Sequence, residues 1–255
     1  MGIEPDAESS SKLKKYTHLV GDFIQEYQSG MSLSEIGQKH GINKQTILNY
    51  LRDEEIEVRD YAESSRKYSL KEDYFDNIDT KEKAFFLGIV FAIGTTIDLH
   101  KSQCLNLSTH MSKEILLKMV VKELRGEENY SGMATGKDDD ILRIRLHSKH
   151  LFERLRELGL NNRNETIFPN IPKELLPSFI LGYMQDRATY KPKRNDLYIY
   201  GNDLFIDQLS QVLKQIVAKD KVFCKEGDTF VAIYDNREIK KLEDWLGIPA
   251  SIKLH

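Results

Sequence analysis

Two apolar segments with the same sequel constrain the fold of this 255-residue chain more than anything else in it. The first is Phe86-Leu87-Gly88-Ile89-Val90-Phe91-Ala92-Ile93-Gly94. The second is Phe179-Ile180-Leu181-Gly182-Tyr183-Met184-Gln185-Asp186-Arg187-Ala188-Thr189. Each reads as an apolar helix with a glycine near its middle. Each is followed by two alternating strands, an amphipathic helix, a second strand pair and a closing helix. In the first copy the strands fall near Thr95–Leu99, Cys104–Ser108, Tyr130–Thr135 and Ile141–His147, and the helices near Ser112–Leu124 and Lys149–Leu158. In the second the strands fall near Ala188–Lys191, Leu197–Tyr200, Lys221–Lys225 and Thr229–Tyr234, and the helices near Asp203–Val217 and Asn236–Leu246. The expected class is α+β, with two αββαββα repeats at about 80–160 and 170–255. The longest apolar run, Ala84 to Ile93, is too short to span a bilayer.

Ahead of the repeats the pattern differs. Residues 1–11 read as a disordered tail rich in serine and acid. Residues 12–57 read as a compact three-helix unit, with Leu13, Tyr16, Val20, Phe23, Ile24 and Tyr27 at helical spacing. Ser32 with Glu35 three residues later is a capping box. Gly41 permits a sharp turn, and Asn43 can cap a helix whose apolar positions are Ile47 and Leu51. The polar stretch 58–79 reads as a linker.

Segment 31–51 resembles a helix-turn-helix of the resolvase and homeodomain-like type. Such a unit projects its second helix into a major groove. Asn43, Lys44, Gln45, Thr46, Asn49 and Tyr50 are the side chains placed to bond base edges or phosphates. The acids Asp53, Glu54 and Glu55 must then point away.

From Thr80 onward the chain resembles LAGLIDADG homing endonucleases. The two glycine-containing helices carry the resemblance. Ile141-Leu142-Arg143-Ile144-Arg145-Leu146-His147-Ser148-Lys149, Leu158-Gly159-Leu160, Arg163, Pro169-Asn170-Ile171-Pro172 and Leu197-Tyr198-Ile199-Tyr200-Gly201-Asn202 extend it. The resemblance implies a single-chain, pseudo-twofold domain whose two signature helices pack together under saddle-shaped sheets that meet duplex DNA. It also implies a carboxylate near the end of each signature helix that holds the catalytic metals. Those positions are Ile93 and Arg187 here. Isoleucine has no oxygen ligand, and arginine repels cations but pairs with phosphate. Asp186 is rotated away by one helical residue. No catalytic residue, metal or other cofactor is therefore expected, and Arg187 is expected on the DNA backbone.

Alternation sets Ile97, Leu99, Leu105, Leu107, Leu142, Ile144, Leu146, Leu197 and Ile199 inward. The expected DNA-facing set is Thr96, His100, Asn106, Arg143, Arg145 and Tyr198, with Lys137, Lys191, Lys193 and Arg194 in hairpins, and Ser108, His147 and Tyr200 share the same outward face by alternation. Asp98 would be an awkward acid on that face.

Bulk composition limits these readings. The net charge is −3, so no region is basic in bulk and any DNA surface must concentrate charge on one face. The two cysteines, Cys104 and Cys224, form no metal or disulfide pattern and are expected as buried or half-buried thiols. No HExxH pair or Walker loop is present. Trp245 reads as a core anchor. A polar, acidic start without secretory features suggests a cytoplasmic protein.

The expected function is sequence-specific binding of double-stranded DNA by a transcriptional regulator or repressor, monomeric through its internal pseudo-dimer and not associated with membranes. It would derive from a homing endonuclease that lost catalysis, and a phage or mobile element is a fitting source. The combination resembles bacterial sporulation regulators that join a degenerate endonuclease domain to a helix-turn-helix in the reverse order. Two alternatives stand beside it. One is an active homing endonuclease with atypical metal ligands. The other is a protein-interaction or ligand-sensing module.

Overall fold

The computed structural model describes residues 14–29, 31–56, 58, 69–99, 102–128, 130, 132–135, 140–162, 164–225 and 228–248. The tail expected at 1–11, and His100 and Lys137, lie outside them. The chain divides into two compact units, Met1–Lys67 and Tyr68–His255. No helix among the described residues is long and apolar enough to cross a membrane.

The first unit holds α1 (Val20–Gln28), α2 (Leu33–His40) and α3 (Lys44–Asp53), after a 3-10 turn at Lys14–Leu19. Its core gathers Val20, Phe23, Tyr27, Ile36, Ile42, Ile47, Tyr50 and Leu51. The capping box is formed. Glu35 donates its backbone N–H to Ser32 Oγ at 3.2 Å, and Ser32 N donates to the Glu35 carboxylate at 2.8 Å. Gly41 ends α2 at φ +67°, where a side chain would be strained. A Cβ on Gly37 would lie 2.6 Å from the Ile42 carbonyl oxygen, so the turn packs tightly onto α2. Asn43 caps α3 by accepting from the Gln45 N–H at 2.8 Å. Across the unit, Lys39 and His40 both reach the Glu26 carboxylate, at 2.8 and 3.0 Å.

The second unit has the repeated order foreseen. Its first half runs α4 (Lys81–Ile93), β1 (Gly94–Leu99), β2 (Ser102–His110), α5 (Glu114–Arg125), β3 (Ala134–Thr135), β4 (Ile141–His147) and α6 (Lys149–Glu157). Its second half runs α7 (Leu176–Arg187), β5 (Ala188–Lys191), β6 (Asp196–Tyr200), α8 (Asp203–Leu213), β7 (Val222–Lys225), β8 (Asp228–Tyr234) and α9 (Asn236–Leu246). Each half contributes one antiparallel four-stranded sheet, ordered β1-β2-β4-β3 and β5-β6-β8-β7. The α+β architecture is therefore two copies of one topology.

Helices α4 and α7 join the copies at backbone contact. A Cβ on Gly88 would overlap the Phe179 carbonyl oxygen and come within 2.7 Å of the Tyr183 nitrogen. A Cβ on Gly182 would overlap the Phe85 carbonyl oxygen and come within 3.1 Å of the Ile89 nitrogen. The contacts are reciprocal: Phe85, Gly88 and Ile89 stand to Phe179, Gly182 and Tyr183 as a pseudo-twofold requires. Only glycine allows this approach. The ring of Phe91 meets that of Phe179 edge-on at 5.4 Å. One continuous core runs through both halves and includes Leu105, Leu107, Ile144, Leu146, Leu197, Ile199, Val231 and Ile233.

Several features differ from the sequence reading. Residues 69–79, expected as linker, belong to the second unit. Phe75 and Ile78 are buried in its core, and Lys71 N donates to the Leu124 carbonyl at 2.8 Å. Cys224 is exposed, because it sits on the edge strand β7, whereas Cys104 is buried and burial pushes its thiol pKa up. Trp245 is only half-buried against the core.

Candidate nucleic-acid interface

The pairing registers decide which side chains share a face. Leu105 and Leu107 pair with Thr96 and Gly94 on one side and with Leu146 and Ile144 on the other. Directly opposed residues point to the same side of a sheet. The covered face therefore carries Gly94, Thr96 and Asp98 from β1. The open face carries Thr95, Ile97, Cys104, Asn106, Ser108, Ala134, Arg143, Arg145 and His147.

This corrects the phase expected for β1. Thr96 faces the covered side, where its hydroxyl donates to the Leu160 carbonyl at 3.2 Å. It is not on the open face, and neither is Asp98. Ile97 is on that face instead. The strand begins one residue after α4, and Gly94 sets its phase rather than its own apolar positions.

The open face of the first sheet is consequently basic and polar. Arg143 and Arg145 alternate along β4 and are both exposed. Neither makes an ion pair among the described residues. His147 Nδ1 and the Ser102 hydroxyl share a 2.6 Å hydrogen bond. Asn106 Nδ2 donates to the Thr95 hydroxyl at 3.4 Å. Among the described residues, no carboxylate lies on this face. Unpaired guanidiniums and short polar side chains on a pleated surface can bond phosphates and base edges.

The second sheet is different in kind. By register, Leu107 and Ile144 correspond to Ile199 and Val231. Asn106 and Ser108 then correspond to Tyr198 and Tyr200. Arg143, Arg145 and His147 correspond to Phe230, Ala232 and Tyr234. An aromatic surface stands where the first sheet is basic. Tyr198 and Tyr200 stack at 6.4 Å, Phe230 meets both edge-on, and Phe223 lies 5.2 Å from Tyr234. Tyr198, expected as a DNA contact, is only 9% exposed. Its hydroxyl donates to Asp196 at 3.1 Å, and burial, with Asp196 and Tyr234 alongside, pushes its pKa up to about 12. It supports the surface from within. Lys191 Nζ sits 4.5 Å above its ring, and Lys193 and Arg194 are exposed in the adjoining turn.

Where α4 and α7 end, the side chains form a charged knot. Arg187 Nε donates to the Ala92 carbonyl at 2.7 Å, which ties the end of α7 to that of α4. Asp186 lies 3.2 Å from Lys113 Nζ and 3.6 Å from Arg187 Nε, and accepts from the Thr109 hydroxyl at 3.4 Å. Ile93 is buried. These residues do not fit a hard divalent cation. The one carboxylate is already shared by two cations, and the partner position offers only hydrocarbon.

In the first unit, Asn43, Lys44, Gln45 and Asn49 are exposed on α3 and Thr46 is half-buried. Gln45 Nε2 donates to Asn49 Oδ1 at 3.2 Å, so the two amides hold one another on the same face. Tyr50, expected among the base-contacting side chains, is a core residue. It is 5% exposed, and its hydroxyl accepts from the Tyr16 N–H at 3.0 Å. Residues 47, 50 and 51 form one apolar stripe, and that spacing was the missed signal. Also missed were Lys113, Phe223, Phe230 and Tyr234, whereas Ser108, His147 and Tyr200 fall on the outward face that alternation gives them. The alternation of Phe230, Ala232 and Tyr234 was the available cue for part of that set.

By sequence, no family profile and no curated protein matches the chain. Solved structures that resemble it include the full-length DUF199/WhiA protein from Thermatoga maritima, at 14% identity and a TM-score of 0.47. That alignment covers 71% of this chain and 61% of the other, so the chain spans less than two thirds of that protein. The LAGLIDADG homing endonuclease I-LtrWI, solved bound to target DNA, aligns at 12% identity and 0.41, covering 66% of this chain and 84% of its own. I-DmoI, solved with DNA and Mn, aligns at 16% and 0.42, covering 65% and 96%. Likenesses this loose fix neither a substrate nor a chemistry.

Proposed function

We propose that this chain is a sequence-specific double-stranded DNA-binding protein that acts as a transcriptional regulator or repressor and does not cut its target. The basic open face of the first sheet carries this reading. Arg143 and Arg145 stand there with Asn106, Ser108 and His147, on a protein whose overall charge is −3. Folding concentrates positive charge on one surface and sends Asp98 to the other side. Non-specific affinity for a polyanion requires such a concentration, and specificity requires the polar groups beside it.

The first unit supports the same reading as a helix-turn-helix. Its third helix offers Asn43, Lys44, Gln45, Thr46 and Asn49 at its N-terminal end, where that motif meets base edges. Two DNA-binding units on one chain raise each other's effective concentration on a shared duplex. The knot at Ile93, Asp186, Arg187 and Lys113 supports the reading that cleavage has been lost. Two cations crowd the one acid, and the remaining Arg187 and Lys113 donors suit a phosphate better than a metal-bound water. The chain is read as a monomer, since both halves of the pseudo-dimer are already present.

Selection from a random duplex library, followed by incubation of the selected duplex with Mg²⁺ or Mn²⁺, tests this directly. The expected result is enrichment of a long asymmetric site that stays intact. Strand scission would reinstate a nuclease, and no enrichment would remove the DNA-binding reading.

A further inference from the structure

We propose that the open face of the second sheet is a stacking platform for unpaired bases of single-stranded DNA. Five aromatic side chains, Tyr198, Tyr200, Phe223, Phe230 and Tyr234, share this face in mutual ring contact. Tyr200 and Phe223 are 37% and 48% exposed, so the contiguous ring cluster reaches solvent at two of its members.

Three observations choose the occupant. First, the cations Lys191, Lys193 and Arg194 are exposed along one margin, while Asp196, the acid on β6 beside the rings, is buried and bonded by the Tyr198 hydroxyl. Aromatic rings bordered by exposed cations suit a strand that presents bases and phosphates together. Second, a closed duplex offers such rings only groove edges, because its base faces are stacked on one another. Third, the pseudo-twofold mates of these rings are Asn106, Ser108, Arg143 and His147. The two sheets therefore present different chemistries, and the aromatic set is not what a symmetric duplex surface would repeat. DNA rather than RNA is taken from the duplex reading of the first sheet. The second sheet would hold a strand opened or distorted beside the duplex that the first sheet grips.

Fluorescence anisotropy on the full chain tests this with three labelled probes: an oligo-dT strand, an abasic strand of equal length and a closed hairpin duplex. Oligo-dT is expected to bind at least about tenfold tighter than the abasic strand. Tyr200→Ala and Phe223→Ala are each expected to weaken oligo-dT binding roughly 5- to 100-fold, with Tyr200→Phe close to the parent, because only the ring face is used. Both positions are exposed, so the fold should tolerate the changes. Duplex affinity should stay within about twofold in the ring variants and fall in Arg143→Ala. Equal binding of oligo-dT and abasic strand overturns the proposal, as does loss of duplex and oligo-dT affinity in parallel. Ring variants that leave oligo-dT binding intact but abolish self-association would also overturn it, by assigning the patch to a second copy of the chain. Failure of the duplex arm alone removes the duplex reading and leaves the platform standing.

Discussion

Replacing Gly88 by alanine should destabilise the second unit, although the same change in an ordinary helix is favourable by about 1 kcal/mol. The new methyl would meet the Phe179 carbonyl oxygen and, at 2.7 Å, the Tyr183 nitrogen. These are backbone atoms inside α7, and they cannot turn aside as a side chain would. Relief requires α4 and α7 to separate by about 1 Å or more, and a gap of that size forfeits a quarter to a half of each dispersion contact across it. Overpacking with yielding neighbours costs about 1–3 kcal/mol, and a rigid obstacle belongs at or above the top of that range. After the helix-propensity gain is subtracted, a net loss of about 2–4 kcal/mol remains. For a unit of this size, that loss lowers the melting temperature by about 5–15 °C. Urea titration and thermal melts followed by near-ultraviolet circular dichroism would measure it. Gly182→Ala should cost a similar amount, because its overlap with Phe85 is the pseudo-twofold equivalent. Gly21→Ala is the control: nothing lies within 4 Å of its Cβ, so it should be neutral or slightly stabilising. If Gly88→Ala proved as mild as Gly21→Ala, the two helices would not be in backbone contact, and the joined-repeat architecture would be wrong.

Other consequences are more local. Ser32→Ala removes half of the capping box and should cost the first unit about 1 kcal/mol in chemical denaturation. Arg187→Ala loses the bond to the Ala92 carbonyl and a partner of Asp186; we expect about 1 kcal/mol of destabilisation together with weaker duplex binding, and unchanged affinity would take Arg187 off the DNA surface. Hydrogen bonding to Lys39, with His40 alongside, holds the Glu26 carboxyl below its ordinary value of 4.5. Its contribution is therefore present above that value and fades as pH falls through the lowered pKa. Acid titration of the first unit should show this loss, and Glu26→Gln should flatten it.

Much of the architecture is legible in the sequence because each element carries its own period. The strand limits Ile141–His147 and Ala188–Lys191 agree with the structure residue for residue, and the capping box at Ser32 forms as read. The failures share one physical origin: long-range placement overrode local pattern. β1 is phased by Gly94 at the end of α4, so the apolar Ile97 falls on the open face while Thr96 finds a carbonyl partner from the far loop. Phe75 and Ile78 sit in a polar stretch that looks like linker, yet the core of the second unit claims them. The aromatic face is the clearest case. Tyr198 and Tyr200 are adjacent in pattern, but Phe223, Phe230 and Tyr234 join them only through the β6–β8 and β8–β7 registers. The candidate site follows the same rule, since charges that alternate along one strand can be read in advance and surfaces assembled from three strands cannot.

Salt dependence of duplex binding tests the account most directly. With a duplex recovered by selection, log affinity should fall steeply and linearly with log salt concentration in the parent chain. Arg143→Ala/Arg145→Ala together should weaken binding and reduce the slope by about one to two. A shallow slope, or a double variant that binds as the parent does at every salt concentration, would contradict a DNA surface on the first sheet.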